Sequence, residues 1–260
     1  MSDQLSLRLD SAVPNLPATL RPMLDRPLAE AFDSPAHLFE PIWGGVRALA
    51  FIAPGDAQGA GDVTFVTEAG DWIDPTPIDL AGLAARVAAR SAVLDGELVV
   101  VDPDGRLDRE ELDRRLAGEP GRPLAYLAFD LLDLDGSPQL SIPLERRRAL
   151  LRKVLRPGDE LVAVPAIAEE GRALFAAVAA QGLAGIRARQ RSSPYLPGVR
   201  SRLWRSIAVA PGLQARRALR ADREAAASQA AAGQAPVDAG PVLALIARLP
   251  LGLEDEAVPG

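Results

Sequence analysis

Phe39-Glu40-Pro41-Ile42-Trp43-Gly44-Gly45-Val46-Arg47 is the stretch on which the reading of this chain turns. Apolar and aromatic residues predict a strand over Leu38–Trp43 and a second over Val46–Ile52. Gly44-Gly45 between them is a favoured hairpin connection, because glycine accepts positive φ. Glu40 and Arg47 flank that hairpin, where an exposed ion pair between them would have little energetic consequence.

Upstream, Pro14, Pro17, Pro22 and Pro27 break residues 1–34 into an irregular arm leading into a short helix. His37, the single histidine, has no cysteine or second histidine beside it and reads as a surface or packing residue. Downstream, Val63–Thr67 reads as a third strand, and Leu80, Leu83, Ala84, Val87 and Ala88 give Asp79–Arg90 the period of an amphipathic helix. Ala92–Val101 is a strongly apolar strand containing Leu94-Asp95-Gly96-Glu97, with Glu97 at the end of a tight turn. Asp108–Leu116 reads as a helix and Pro123–Leu132 as a strand. Pro143 suits the first position of a helix running to Leu155. Glu160–Ile167 is a strand, Arg172–Gln181 an Ala-rich helix closed by Gly182, and Ile186–Gln190 and Leu203–Ala208 are the last strands. Hairpin-like strand pairs mixed with helices predict an α+β fold of antiparallel sheets flanked by helices.

The domain so defined covers residues 35–210. Beyond it, residues 211–260 read as an Ala/Arg-rich helical tail and linker, with a helix over Leu213–Ala231, a break at Gly233, Pro236 and Gly240, and an apolar piece, Val242–Leu253, able to dock onto the domain or a partner. No further barrel domain is expected in so short a tail.

A chain of 260 residues with 48% hydrophobic and 25% charged residues has the composition of a globular protein. No apolar run approaches the roughly 18 residues that span a membrane, and Met-Ser-Asp-Gln does not open a secretory signal; the expectation is a cytoplasmic protein with no membrane partner. Zero cysteines exclude disulfides, thiolate metal sites and a thiol nucleophile. Charge is unevenly placed. Nine arginines and no acid lie between Arg187 and Ala221, so a net charge of −6 leaves −15 for the rest. Such asymmetry is the footprint of a local anion-binding face or, equally, of a solvated arginine-rich surface; on the first reading Arg187, Arg191, Arg200, Arg202 and Arg205 are the candidates for contacting DNA phosphates. Only one of the 29 basic residues is a lysine, Lys153. Arginine is a permanently charged fork and no practical amine nucleophile, so any chemistry that needs a lysine must use Lys153.

Several motifs fall in one order. Leu94-Asp95-Gly96-Glu97-Leu98-Val99 is followed by Phe129-Asp130-Leu131-Leu132, Asp135-Gly136 and Pro143-Leu144-Glu145-Arg146-Arg147, then by Ser193-Pro194-Tyr195, Pro197-Gly198, Arg200-Ser201 and Trp204. With the opening stretch, this series resembles the adenylation (nucleotidyltransferase) domain of the ATP-dependent DNA ligases. In that family a lysine in Glu-Pro-Lys-Trp-Asp-Gly-x-Arg attacks ATP to form lysyl-AMP, and a second domain closes over the nucleotide. The resemblance implies a nucleotide-binding role for Glu40, Arg47, Glu97, Phe129 and Arg189, with Phe129 stacking on adenine and Arg47 and Glu97 facing sugar and phosphates. On a plain reading, Phe129 among Leu127, Ala128 and Leu131 is a core residue.

The departures from that family are as ordered as the matches. Ile42 occupies the position of the lysine and Gly44 that of the aspartate. Glu68 stands where the family has an arginine, Ala184 where it has a metal-binding glutamate, and Ser206 and Ala208 where it has lysines. A branched alkane has no lone pair with which to form a phosphoramidate, and magnesium needs carboxylate oxygens. Charge-assisted hydrogen bonds contribute about 1.5–3 kcal/mol each, so losses at positions 68, 206 and 208 remove roughly 5–9 kcal/mol, against about 8 kcal/mol for micromolar affinity. The expectation is a catalytically inactive ligase-like protein without a cofactor, acting by binding DNA or a DNA-repair partner. The alternatives are a ligase with a non-standard nucleophile, which alone would call for ATP and Mg2+, and an accessory subunit of a complete ligase.

Overall fold

Strand β6, Ala92–Val100, is buried at all nine positions, and the computed structural model is built around it. The structure describes residues 16–17, 19–53, 61–75, 78–103, 106–156, 158–209 and 246–247. Side chains alternate across a strand. Ala92, Leu94, Leu98 and Val100 of β6 enter one hydrophobic core, while Val99 joins a second and Val93 a third. Asp95 and Glu97 fall on the same face as Val93 and Val99, so two carboxylates are carried into the interior by strand parity.

A seven-stranded sheet runs in the order β5 (Trp72–Ile73), β4 (Val63–Thr67), β3 (Val46–Ile52), β6, β7 (Leu124–Leu134) and β8 (Ser137–Pro138), with β9 (Leu161–Ala163) parallel to β7. A five-stranded sheet runs β1 (Leu24–Pro27), β12 (Arg200–Ala208), β11 (Gly185–Gln190), β2 (Ser34–Ile42) and β10 (Ile167–Glu169). Helices α1 (Arg109–Leu116), α2 (Leu144–Val154) and α3 (Gly171–Ala180) flank the sheets. The α+β reading is correct. Asp108 starts α1 by accepting a hydrogen bond from the Glu111 amide at 2.9 Å.

Four local expectations are corrected. Gly44-Gly45 does not turn a hairpin: β2 pairs with β11 and β10, whereas β3 pairs with β4 and β6, so the chain crosses from one sheet to the other. The arm does not end in a helix; it supplies β1, which pairs in parallel with β12, and it buries Leu16, Leu20 and Met23 against Leu49, Tyr195 and Trp204. The helix expected over Asp79–Arg90 is one short 3-10 segment, Ala81–Arg86. Leu80, Leu83, Ala84 and Val87 are buried as their spacing requires, but Val87 bridges Leu155 and the Ala88 amide donates to the Val154 carbonyl at 2.7 Å, which holds the chain extended. Glu160–Ile167 is two strands in different sheets, because Pro165 has no N–H to continue a ladder.

The helix expected over Leu213–Ala231 lies outside the described residues. Of the apolar piece 242–253, Ile246 and Ala247 are described, and Ile246 is buried in the second core.

Candidate functional site

The crossover between the sheets builds one end of the site. Gly44 has φ +87°, and a Cβ on Gly45 would lie 2.1 Å from the Leu98 carbonyl oxygen, so neither position accepts a side chain without strain. The Gly45 amide donates to Glu97 Oε1 at 2.6 Å. Glu97 therefore does not end a turn; it is 2% exposed within β6 and anchors the crossover. Arg109 covers the outside, donating to the Gly45 carbonyl at 3.1 Å.

Several of the positions read above as departures from the family motif lie together here. Ile42 pairs with Gly185, Ala208 also pairs with Gly185, and Ser206 pairs with Arg187. A Cβ on Gly44 would lie 3.8 Å from that of Ala184, so the two places where a carboxylate is missing are neighbours. Among the described residues no group of three or more histidines or acids is gathered that could hold a metal ion. Lys153 is exposed in the last turn of α2, where a cation suits the helix C-terminus.

The retained positions form a buried ion network. Arg47 holds Asp95 with two hydrogen bonds, at 3.2 and 2.8 Å, and Tyr195 donates its hydroxyl to the same carboxylate at 2.7 Å. Arg187 reaches Asp25 at 2.9 Å and Glu97 at 3.4 Å. Glu40 is shared by Arg189, at 3.0 Å, and Arg148. Arg148 also donates to the carbonyls of Phe129 and Val164, at 2.9 and 2.6 Å. Behind them Arg147 grips Asp130 through two 2.8 Å contacts. Among the described residues five guanidiniums thus face five buried carboxylates, and the half-exposed Glu68 reaches Arg47 at 4.0 Å, so the cluster carries no net positive charge. The expected exposed pair between Glu40 and Arg47 does not exist: both are buried and each has other partners.

Phe129 lies at the centre of this network and is 1% exposed. The Arg189 guanidinium carbon sits 4.1 Å from its ring centroid and 4.3 Å from that of Trp204, with Arg187 and Arg47 at 5.5 and 5.6 Å from Phe129. A desolvated cation over an aromatic face contributes up to about 2 kcal/mol. The position implied to stack on adenine is therefore a core position whose ring is packed by arginines. Arg189 is fully buried and, among the described residues, makes no well-aligned hydrogen bond through its N–H groups. Burial pulls its pKa down, with Arg187 and Arg47 adding to the effect and Glu40 opposing it. For Arg47 burial acts the same way, but Asp95, together with Tyr195 and Asp25, outweighs it and holds the pKa well above its ordinary value.

Of the arginines expected on a DNA-binding face, Arg187 is excluded, since it is buried against Asp25 and Glu97. Arg191 pairs with Glu145 at 3.1 Å on the surface. Arg200 and Arg202 are exposed and Arg205 is half-buried. Arg26, exposed on β1 and opposite Arg205, adds a cation that the sequence reading passed over. Asp25 and Arg148 were also missed as members of the network. Arg148 had a legible signal: Leu144, Arg147, Arg148, Leu151 and Val154 follow the i, i+3, i+4, i+7 spacing of one helix face, and all five are buried. Asp25 had none, because a four-residue parallel strand carries no periodic pattern.

Two sheets joined by a crossover that carries the motif residues define a nucleotidyltransferase-type adenylation domain. The chain belongs to the ATP-dependent DNA ligase family, since residues 70–207 match the ATP dependent DNA ligase domain. It is 34% identical over 138 residues to the multifunctional non-homologous end joining protein LigD of Pseudomonas aeruginosa, a match covering 52% of this chain and 16% of that protein. It is 35% identical over 133 residues to DNA ligase 1 of Korarchaeum cryptofilum, covering 46% of this chain and 24% of that protein. The chain thus spans a quarter or less of these relatives. Among solved structures, the ligase domain of Mycobacterium tuberculosis LigD superposes with a TM-score of 0.61 at 28% identity, covering 73% of this chain and 59% of that one. A mycobacterial DNA ligase D complexed with ATP and MES gives 0.63 at 28% identity, covering 74% and 60%. Among the described residues no helix is long and apolar enough to cross a membrane.

Proposed function

We propose that this ligase-type adenylation domain forms no lysyl adenylate and serves as a binding module, with DNA as its ligand. Ile42 carries the proposal. It occupies the nucleophile position, and Lys153, the one amine-bearing side chain in the sequence, is on the exposed end of α2. The ion network supports the same reading. ATP would have to separate charges that already neutralise one another, and breaking one buried pair costs about 3–5 kcal/mol. The absence of net positive charge also removes the attraction that a triphosphate needs.

DNA is the favoured ligand because several relatives are DNA ligases and because Arg26, Arg200, Arg202 and Arg205 line β1 and β12. Arginine–phosphate contacts give sequence-independent affinity that falls with salt. Incubation with labelled ATP and magnesium, followed by denaturing electrophoresis, tests the catalytic half of the proposal. No labelled band is expected, and a band that survives denaturation overturns it. Titration of duplex DNA at low and moderate salt tests the other half; no binding at low salt removes DNA as the ligand.

A further inference from the structure

The β5 edge of the seven-stranded sheet, the last strand among the described residues, presents a surface used by neither the ion network nor the arginine-bearing strands. Between Arg47 and Arg86 the chain has six acids, Asp56, Asp62, Glu68, Asp71, Asp74 and Asp79, and no lysine or arginine; Asp79 is paired with Arg115 at 2.6 Å and Glu68 lies 4.0 Å from Arg47, so neither belongs to the surface in question. Among the described residues the last strand, β5, pairs with β4 alone, through Phe65 opposite Ile73 and Val66 opposite Trp72. Trp72 is 63% exposed, while Trp43 and Trp204 are 2% and 0% exposed. A groove of about 510 Å3 runs beside it, lined by Val63 and Ile73 together with the carboxylates of Asp62 and Asp74.

A large exposed indole next to carboxylates at a sheet edge is complementary to one kind of occupant. The aromatic face attracts a guanidinium or ammonium, the carboxylates pair with it, and an edge strand offers backbone groups to an extended chain. The same acids repel a nucleic-acid backbone, so this face cannot extend the DNA surface proposed above. We infer that the Trp72 groove docks an extended segment of a partner protein that carries arginine or lysine at alternate positions. Alternation matters because side chains on one face of an added strand recur every second residue. The inference is independent of whether the domain binds DNA or forms an adenylate.

The test uses the full chain and the peptide acetyl-Arg-Val-Arg-Val-Arg-Val-Arg-amide, with the Glu-Val peptide of the same length as control. Because the other two tryptophans are buried, a change in tryptophan emission reports on Trp72. Saturable binding of the arginine peptide at low salt is expected, weakening as screening increases, with none for the glutamate peptide. By calorimetry, W72A and the double substitution D62N/D74N should each weaken binding about tenfold, some 1.4 kcal/mol, and W72F should retain it. Thermal melting of each variant controls for folding. Absence of saturable binding overturns the inference, as does binding left unchanged by D62N/D74N. Concentration-dependent self-association of the protein that D62N/D74N abolishes would assign the groove to a second copy of the chain and likewise overturn it.

Discussion

Tyr126 crosses directly over Gly96. A Cβ on Gly96 would lie 2.4 Å from the Tyr126 ring, and the tyrosine hydroxyl sits 2.9 Å from the Ala48 carbonyl and 3.1 Å from that of Leu94, bridging β3 and β6. The glycine of Leu94-Asp95-Gly96-Glu97 is therefore a packing requirement in this chain. G96A should destabilise the fold by about 2 kcal/mol or more, at the upper part of the range for overpacked cores, measured by denaturant unfolding. A loss below about 0.5 kcal/mol, the scale of a neutral surface change, would refute the packing argument.

Glu40 holds two arginines, Arg148 and Arg189, in a space without water-exposed alternatives. Its removal leaves buried positive charge without a counterion. E40A should cost about 3–5 kcal/mol, and E40Q less, because the amide oxygen still accepts a hydrogen bond. Comparable stability of E40A and wild type would show that the network contributes nothing to the fold.

Restoring the lysine alone should not restore chemistry. In I42K an amine would stand where the family has one, yet Gly44 and Ala184 still lack carboxylates and the ring of Phe129 is still packed by Arg189. No ATP-derived label is expected on I42K under conditions that label an active ligase. A stable adenylate on that variant would mean that the ion network opens readily.

Arg200 and Arg202 are exposed, whereas Arg187 is not. R200A/R202A should weaken DNA binding and lower the slope of log affinity against log salt by about two, one per lost phosphate contact. R187A should act on stability instead, because Asp25 and Glu97 lose a partner. Equal loss of DNA affinity in a folded R187A would contradict that assignment.

His37 titrates with a sign that can be worked out. Burial lowers its pKa below the ordinary 6.5, and Arg205 lowers it further. The folded state therefore resists taking up the proton that the unfolded chain accepts. Stability is complete above that ordinary value and declines as pH falls through and below it. The melting temperature should drop between pH 7.5 and 5.5 by more in the wild type than in H37Q; identical pH profiles would exclude a contribution from His37.

The strands around Asp95 and Phe129 were legible because each is a long apolar run whose length and β-branched content leave little alternative. Their assembly was only partly so. Spacing told which of Leu80, Leu83, Ala84 and Val87 are buried but not that Val87 would be held extended by Leu155, a contact 68 residues away in sequence. The same non-local logic hid the crossover. Gly44-Gly45 has the composition of a hairpin, and the pairing of β2 with β11, a strand far along the sequence, decides against it. At the site, motif comparison named Glu40, Arg47, Glu97, Phe129 and Arg189, and the fold brings all five into one cluster. It could not reveal that their charges cancel, because Asp25 and Arg148 lie outside the motifs.

Since β2 and β3 belong to different sheets, the nine residues from Phe39 to Arg47 are the seam of the domain. The chain crosses between the sheets here and again from β9 to β10, so a tilt of one sheet against the other is shared between those links and Gly44-Gly45, where Glu97 holds the Gly45 amide and Arg109 its carbonyl. A chain with isoleucine at position 42 still needs the rest of this stretch to hold its two sheets in register. Resemblance at this stretch is thus a signature of construction, and a catalytic claim has to rest on the identity of residue 42.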